Sequence, residues 1–270
     1  MDRLRVVTLN LWGEQPPLEL RMAGILAELQ RLVPDVVAMQ EVRQIPGVLA
    51  NQAEVLAGVL GMQVVFAPAT PWGGGDEGLA ILSRHPIASH AAIELPDAVP
   101  EERRIVLTAT ITSPAGSLAI ATTHLTYRLH DGLKRERQIM AAEAAIAALP
   151  SDLPRLFVGD FNAAPDADEI RFLRGAHTLD GRRVFWQDAW ALRHPDLPGY
   201  TWAHANPHTE RLAWLTRDRR IDYVFVGAER RDGRGRVEDI RLCFTQPDET
   251  GCLPSDHFGL VADIQVIARS

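Results

Sequence analysis

The 270-residue chain contains only two cysteines, no apolar stretch long enough to cross a membrane and no excess of basic residues. Each shortage removes a class of protein. Cys243 and Cys252 leave either one local disulfide or two free thiols, and neither is a disulfide framework. A helical membrane span needs about 20 consecutive apolar residues, which the chain nowhere has. The opening residues Met1-Asp2-Arg3-Leu4-Arg5 lead straight into a strand pattern, without the apolar core or small-residue cleavage site of a secretory leader. A cytoplasmic location is therefore expected, and two free thiols suit it better than a disulfide.

The formal net charge of −7 bears on partners. Proteins that hold long nucleic acid without sequence preference neutralise its phosphates with a basic surface. One arginine-rich stretch exists, with Arg217, Arg219, Arg220, Arg230, Arg231, Arg234 and Arg236. Asp218, Asp222, Glu229 and Asp232 dilute it, and it reads as a solvated loop between strands. Charge thus disfavours a nuclease without ruling one out, and no protein partner is implied.

What is present is an ordinary globular composition, 46% hydrophobic and 23% charged, in a chain able to bury a substantial core. Strand runs at Leu4–Leu9 and Val36–Met39 flank a helical pattern over Leu18–Leu32, which Pro34-Asp35 ends. A second helix is expected over Val48–Leu60, closed by Gly61, and a third strand over Met62–Phe66. Gly73-Gly74-Gly75 reads as a flexible loop before the strand Gly78–Ser83. The runs Ile105–Thr112 and Ser117–Thr123 form adjacent strands across the turn Pro114-Ala115-Gly116. Lys134–Leu149 is the longest helix signal, followed by strands at Pro154–Val158, Ile221–Val226, Val237–Phe244 and Leu260–Ile267. The pattern gives an α/β class with mixed sheets in one domain spanning residues 1–270.

Four polar segments stand at the ends of these strand runs: Leu9-Asn10-Leu11-Trp12, Met39-Gln40-Glu41-Val42, Val158-Gly159-Asp160-Phe161-Asn162 and Ser255-Asp256-His257. Any one acid among them, alone, reads as a surface residue or helix cap. Their repeated context, with His124 and His257, points to one site built from many strands. Glu41, Asp160, Asp256, Asn10 and Asn162 are hard oxygen donors suited to Mg²⁺, and no His–Cys cluster has zinc spacing.

Together with Gly78-Leu79-Ala80-Ile81-Leu82-Ser83-Arg84, Thr123-His124-Leu125 and Arg220-Ile221-Asp222-Tyr223, these segments occur in an order that resembles the endonuclease/exonuclease/phosphatase superfamily across nearly the whole chain. The resemblance implies a four-layer α/β/β/α sandwich, two mixed sheets face to face with helices outside. It also implies a phosphoester hydrolase dependent on Mg²⁺, with Mn²⁺ as a substitute. Glu41 would be the main metal ligand, with Asn10 and Asp256 near the same ion or its waters. Asp160 would orient and deprotonate the attacking water, and the Asn162 amide would donate to a non-bridging oxygen. Asp222 would hold His257 in one tautomer and favour its protonated form. His124 matches the deoxyribonuclease and sphingomyelinase branches, whereas the abasic-site branch usually carries Tyr there. Glu77 is a candidate carboxylate partner for His124. Arg104 is either a phosphate contact or a surface ion pair with the adjacent glutamates. Trp12 is a candidate wall of the site, Trp72 in the glycine loop is the aromatic most expected near substrate, and Trp202 reads as packing. The expected substrate is a small-molecule or lipid-derived phosphodiester. A nuclease is the alternative within the family, and a catalytically silent binding module the alternative outside it.

Overall fold

The computed structural model describes residues 2–212 and 214–267. In chain order its strands are β1 (Arg3–Asn10), β2 (Val36–Gln44), β3 (Gln63–Trp72), β4 (Gly75–Ser83), β5 (Ile87–Glu94), β6 (Ile105–Ser113), β7 (Gly116–His124), β8 (Leu156–Asp160), β9 (Gln187–Asp188), β10 (Asp222–Val226), β11 (Val237–Cys243) and β12 (Gly259–Gln265). The helices are α1 (Leu18–Leu32), α2 (Gln52–Leu60), α3 (Gly132–Ala147), α4 (Asp168–Leu173) and α5 (Ala189–Arg193).

The strands form two mixed six-stranded sheets, ordered β11-β12-β1-β2-β4-β3 and β5-β6-β7-β8-β10-β9. The central strands are apolar on both faces because both faces are covered. In β1, Leu4 and Val6 enter the core between the sheets, while Val7 and Leu9 pack against Ile25, Leu29 and Leu56 of α1 and α2. In β8, Leu156 and Val158 face the other sheet, while Phe157 meets Ile139, Ile170 and Phe172 of α3 and α4. The layers are therefore helix, sheet, sheet, helix, as expected. Among the described residues no helix is long and apolar enough to cross a membrane, and Cys243 and Cys252 are free thiols.

Several boundaries differ from the sequence expectation for local reasons. Helix α2 starts at Gln52, not Val48, because the Asn51 side chain accepts hydrogen bonds from the N–H groups of Ala53 and Glu54. The preceding residues close a tight turn in which Leu49 N–H donates to Ile45 O at 2.8 Å. Strand β3 continues to Trp72, so Gly73 and Gly74, at φ +54° and +77°, form a hairpin turn and not a loose loop. Glu77 consequently lies inside β4, not ahead of it. Strand β5 escaped notice because it is an edge strand exposed along nearly its whole length, with no apolar alternation to read.

The chain reversals bring the polar segments together. The pairing of parallel β1 and β2 ends at Asn10 and Gln40, and parallel β7 and β8 end at His124 and Asp160. Antiparallel β10 starts opposite Asp160 with Asp222. Beneath this edge, Gln40 Nε2 donates to Thr122 Oγ1 at 2.9 Å and joins one sheet to the other. Ser255 Oγ donates to Asn10 O at 2.6 Å and fixes the loop carrying Asp256 and His257 against β1.

One ion pair anchors the far end of β1. Arg5 grips both oxygens of Asp263 on β12, at 2.7 and 2.8 Å, and reaches the Leu32 carbonyl that ends α1 at 2.8 Å. Burial alone would push the Asp263 carboxyl up, but its bonds to Arg5 outweigh this and hold it below 3.8. Its stabilisation is therefore present above pH 3.8 and is lost as pH falls through the lower folded value. Asp263→Asn should cost about 2–3 kcal/mol at pH 7 by urea denaturation, less than a fully buried pair because Arg5 keeps 20% of its side chain exposed. The gap from the unsubstituted protein should narrow in acid below that range.

Candidate active site

Asp160 is the hub of the strand ends, and the local backbone is shaped to hold it there. Gly159 precedes it at φ +134°, where a Cβ would stand 2.3 Å from the Thr123 carbonyl, so only glycine lets β8 approach β7 this closely. Beyond it, Asn162 sits at φ +50° and its backbone N–H donates to Asp160 Oδ1 at 2.8 Å. Asn10 Nδ2 donates to Asp160 Oδ2 at 3.1 Å and to Glu41 Oε1 at 3.0 Å. The Trp12 N–H donates to Asn10 Oδ1 at 2.9 Å, which turns the amide nitrogen toward the carboxylates. Glu41 itself has φ +51° in a bulge of β2 between Met39 and Val42, and this kink aims its side chain into the cavity.

Two imidazoles flank Asp160 in opposite protonation environments. His257 Nδ1 bonds Asp222 Oδ2 at 2.9 Å, with Nε2 lying 3.8 Å from Asp160 Oδ2. Burial would expel the His257 proton, but Asp222, Asp160 and Asp256 together raise its pKa well above 6.5. His124 is held the other way. Arg104 Nη1 lies 2.9 Å from His124 Nδ1, and since a guanidinium only donates, Nδ1 must accept. The His124 proton therefore sits on Nε2, 3.4 Å from Asp160 Oδ2 and 3.9 Å from Glu41 Oε1. Burial and the Arg104 charge keep this ring neutral, well below 6.5. Asp160 is pushed up to about 7 by burial and by Asp222.

These groups open into one cavity of about 670 Å³. Glu41, Glu77, Arg104, His124, Asp160, Asn162, Asp256, His257 and Trp12 line it, with Asn10 and Asp222 directly behind. Three expectations change. The carboxylates beside His124 are Asp160 and Glu41, not Glu77. Arg104 pairs with the adjacent Glu102 as one expectation had it, but in a buried place, and its two Nη groups are taken by His124 and Glu102. Asn162 Nδ2 donates to the Leu125 carbonyl at 3.0 Å, which leaves one of its two amide hydrogens for a ligand. Trp72 and Trp202 also line the cavity, and His208 stacks on Trp12 at 4.6 Å between ring centres. Tyr127, Arg128 and Arg219 were missed. Their signal was adjacency, because they flank the Thr-His-Leu and Arg-Ile-Asp-Tyr segments.

The donors fit a hard divalent cation. Glu41, Glu77, Asp160 and Asp256 crowd one cavity, and burial followed by the Glu41 charge lifts Glu77 to about 7. Such crowded carboxylates are what a cation relieves. Asp160, Asp222 and His257 form the tightest donor cluster among the described residues, within 4.8 Å of one another. His257 already binds Asp222 there.

Comparison with known proteins bears on the family and the fold. The sequence model of the endonuclease/exonuclease/phosphatase family matches residues 7–257. Protein angel of Drosophila melanogaster is 27% identical over 168 residues, which is 57% of this chain and only 46% of that protein. D. rerio TDP2, solved in complex with a single strand DNA product, has 21% identity and a TM-score of 0.77 over 98% of this chain and 100% of its own. The human Nocturnin catalytic domain, solved with a bound sulfate anion, has 21% identity and a TM-score of 0.70 over 98% and 93%. At these identities the two structures establish a shared fold.

The raised Asp160 value has a stability consequence in the metal-free protein. The folded state binds a proton there between pH 3.8 and about 7 that the unfolded chain does not, so this group's contribution falls as pH rises through that window. Urea denaturation in EDTA from pH 5 to 8 should show Asp160→Asn gaining stability relative to the parent. The gain should be up to about 1 kcal/mol per pH unit. A pH-independent difference would show that Asp160 titrates normally.

Proposed function

The chain belongs to the endonuclease/exonuclease/phosphatase family, and we propose that it is a single-domain, divalent-cation-dependent phosphoester hydrolase using in-line attack by water. One observation carries this reading: a buried carboxylate, Asp160, is poised near neutrality between an Asp222–His257 pair and the Glu41 carboxylate at the floor of one cavity. No covalent enzyme intermediate is needed, since the acid that handles the water's proton is already in place.

In this reading Glu41 and Asp256 would hold Mg²⁺, or Mn²⁺ in its stead, with Glu77 adding negative charge to the same mouth. The bound ion would polarise a phosphoryl oxygen and offset charge on the leaving oxygen. Asn10, first read as a ligand, acts instead by fixing Glu41 and Asp160 through its amide nitrogen. Asp160 takes the proton of the attacking water, for which a pKa near the working pH is best. Asn162 orients Asp160 through its backbone and offers its remaining amide hydrogen to a non-bridging oxygen. His257, kept protonated by Asp222, clamps the phosphoryl group. His124 donates from Nε2 and Arg104 holds it in that tautomer. Trp12 walls the site.

A small-molecule or lipid-derived phosphodiester is the favoured substrate. The cavity mouth carries the exposed apolar side chains Trp72, Tyr127, Leu129, Leu212 and Leu215, suited to an apolar or planar substituent, and the chain's charge is −7. A second reading, cleavage of single-stranded nucleic acid, draws on the same aromatics as stacking platforms and on the likeness to the TDP2 structure. The free thiols suit a reducing, cytoplasmic setting.

The purified protein should hydrolyse bis-p-nitrophenyl phosphate with Mg²⁺ or Mn²⁺ and stop on adding EDTA. Asp160→Asn should lower kcat/KM by about 10²- to 10⁴-fold. A panel of single-stranded DNA, plasmid, glycerophosphodiesters, sphingomyelin and inositol phosphates would rank the substrates. No turnover of any phosphoester with either metal would leave the silent binding module as the correct reading.

A further inference from the structure

Three arginines line the cavity, and their engagements differ. Arg104 holds His124 and Glu102, and Arg128 closes on the same Glu102 carboxylate while lying over the Tyr127 ring. Arg219 is different. Its backbone is pinned to Trp202 by reciprocal hydrogen bonds, N–H to O at 2.8 Å in one direction and 3.0 Å in the other. Its guanidinium lies over the Trp202 indole, 5.2 Å from the ring centre. Yet among the described residues no side-chain nitrogen of Arg219 has a hydrogen-bond or ion-pair partner, and its Nε is buried. The next residue sharpens the contrast. Arg220 points to the opposite face of the extended chain and grips both oxygens of Asp188, at 2.8 and 2.9 Å. One arginine of the pair is a structural clamp, and the other is a cation held ready without an acceptor.

A buried guanidinium N–H without an acceptor is costly unless a ligand supplies the oxygen. Stacking on Trp202 covers one face of the Arg219 group and leaves its in-plane N–H edge, the geometry that binds phosphate oxygens. Asp160 and Asp222 act on it electrostatically, and it lines the same cavity as Asp160. We propose that Arg219, not Arg104, is the arginine that binds an anionic phosphate oxygen of the substrate. This rests on the phosphoester-hydrolase reading for its substrate but not for its chemistry. The oxygen belongs either to the phosphoryl group being cleaved or to a second phosphate next to it.

The test uses the full chain with Mg²⁺ and inorganic phosphate as probe. At constant ionic strength against chloride, millimolar phosphate should raise the thermal midpoint saturably. Arg219→Gln should abolish this rise, Arg219→Lys should weaken it, and Arg217→Gln, an exposed residue on the same loop, should keep it. A full response in Arg219→Gln overturns the proposal, whether or not the parent turns over any ester. Should that variant not fold, an undiminished response in Arg219→Lys overturns it equally. Turnover then separates the two oxygen sources. A loss of about 10- to 100-fold in kcat/KM on bis-p-nitrophenyl phosphate assigns Arg219 to the cleaved group. A loss confined to a nucleoside 5′-phosphate 3′-(p-nitrophenyl phosphate) assigns it to the neighbouring phosphate. No loss on either ester contradicts the proposal.

Discussion

The arrangement depends on a single amide. Asn10 Nδ2 bonds Glu41 on its own sheet and Asp160 on the facing sheet, so one side chain sets the spacing of two carboxylates across the sandwich gap. Two acids brought this close in a buried place repel each other, and the two hydrogens of one amide nitrogen are what reconcile them. The Trp12 N–H fixes the amide's orientation, and the Gln40–Thr122 bond beneath keeps the sheets from sliding. Without that bridge the strand ends would still be adjacent, but the distance between the proposed cation seat and the proposed base would not be fixed.

Around the bridge, similar groups are given opposite tasks by their neighbours. His257 beside Asp222 stays charged, whereas His124 beside Arg104 stays neutral, although both rings are buried at the same cavity. The difference comes from the partner's sign and not from depth. Pairs of titratable groups driven apart in this way are the usual mark of divided acid and base work. Crowded carboxylates on one side and a protonated imidazole with the Trp202-backed Arg219 on the other suit a phosphoester, whose own charge meets both.

Much of this was readable in the sequence. Strands β1, β2, β7, β8 and β10 show as unbroken apolar runs because both their faces are covered, and the polar residues that break those runs are the site. Helix α1 showed its periodicity for the opposite reason, since only one stripe of it is buried. What escaped left no such pattern. Edge strand β5 lacks a buried face, α2 begins where Asn51 caps it, and Glu77 lies within β4 because β3 runs on to Trp72. Arg104 and Arg219 could not be told apart by composition. His124 engages the first, Trp202 backs the second, and only the fold brings those residues together.

The central claim is that the cavity whose carboxylate spacing Asn10 sets holds a divalent cation at Glu41 and Asp256, beside Asp160. Calorimetric titration of Mg²⁺ at pH 6.5, in two buffers of different ionisation heat, tests it directly. Since Asp160 and Glu77 are lifted to about 7, binding should be saturable and should release protons. Glu41→Gln should abolish the binding, and Asn10→Leu should weaken it at least about tenfold, as loss of an orienting partner does. Absence of saturable binding, or binding with no proton release that survives Glu41→Gln, would contradict the claim.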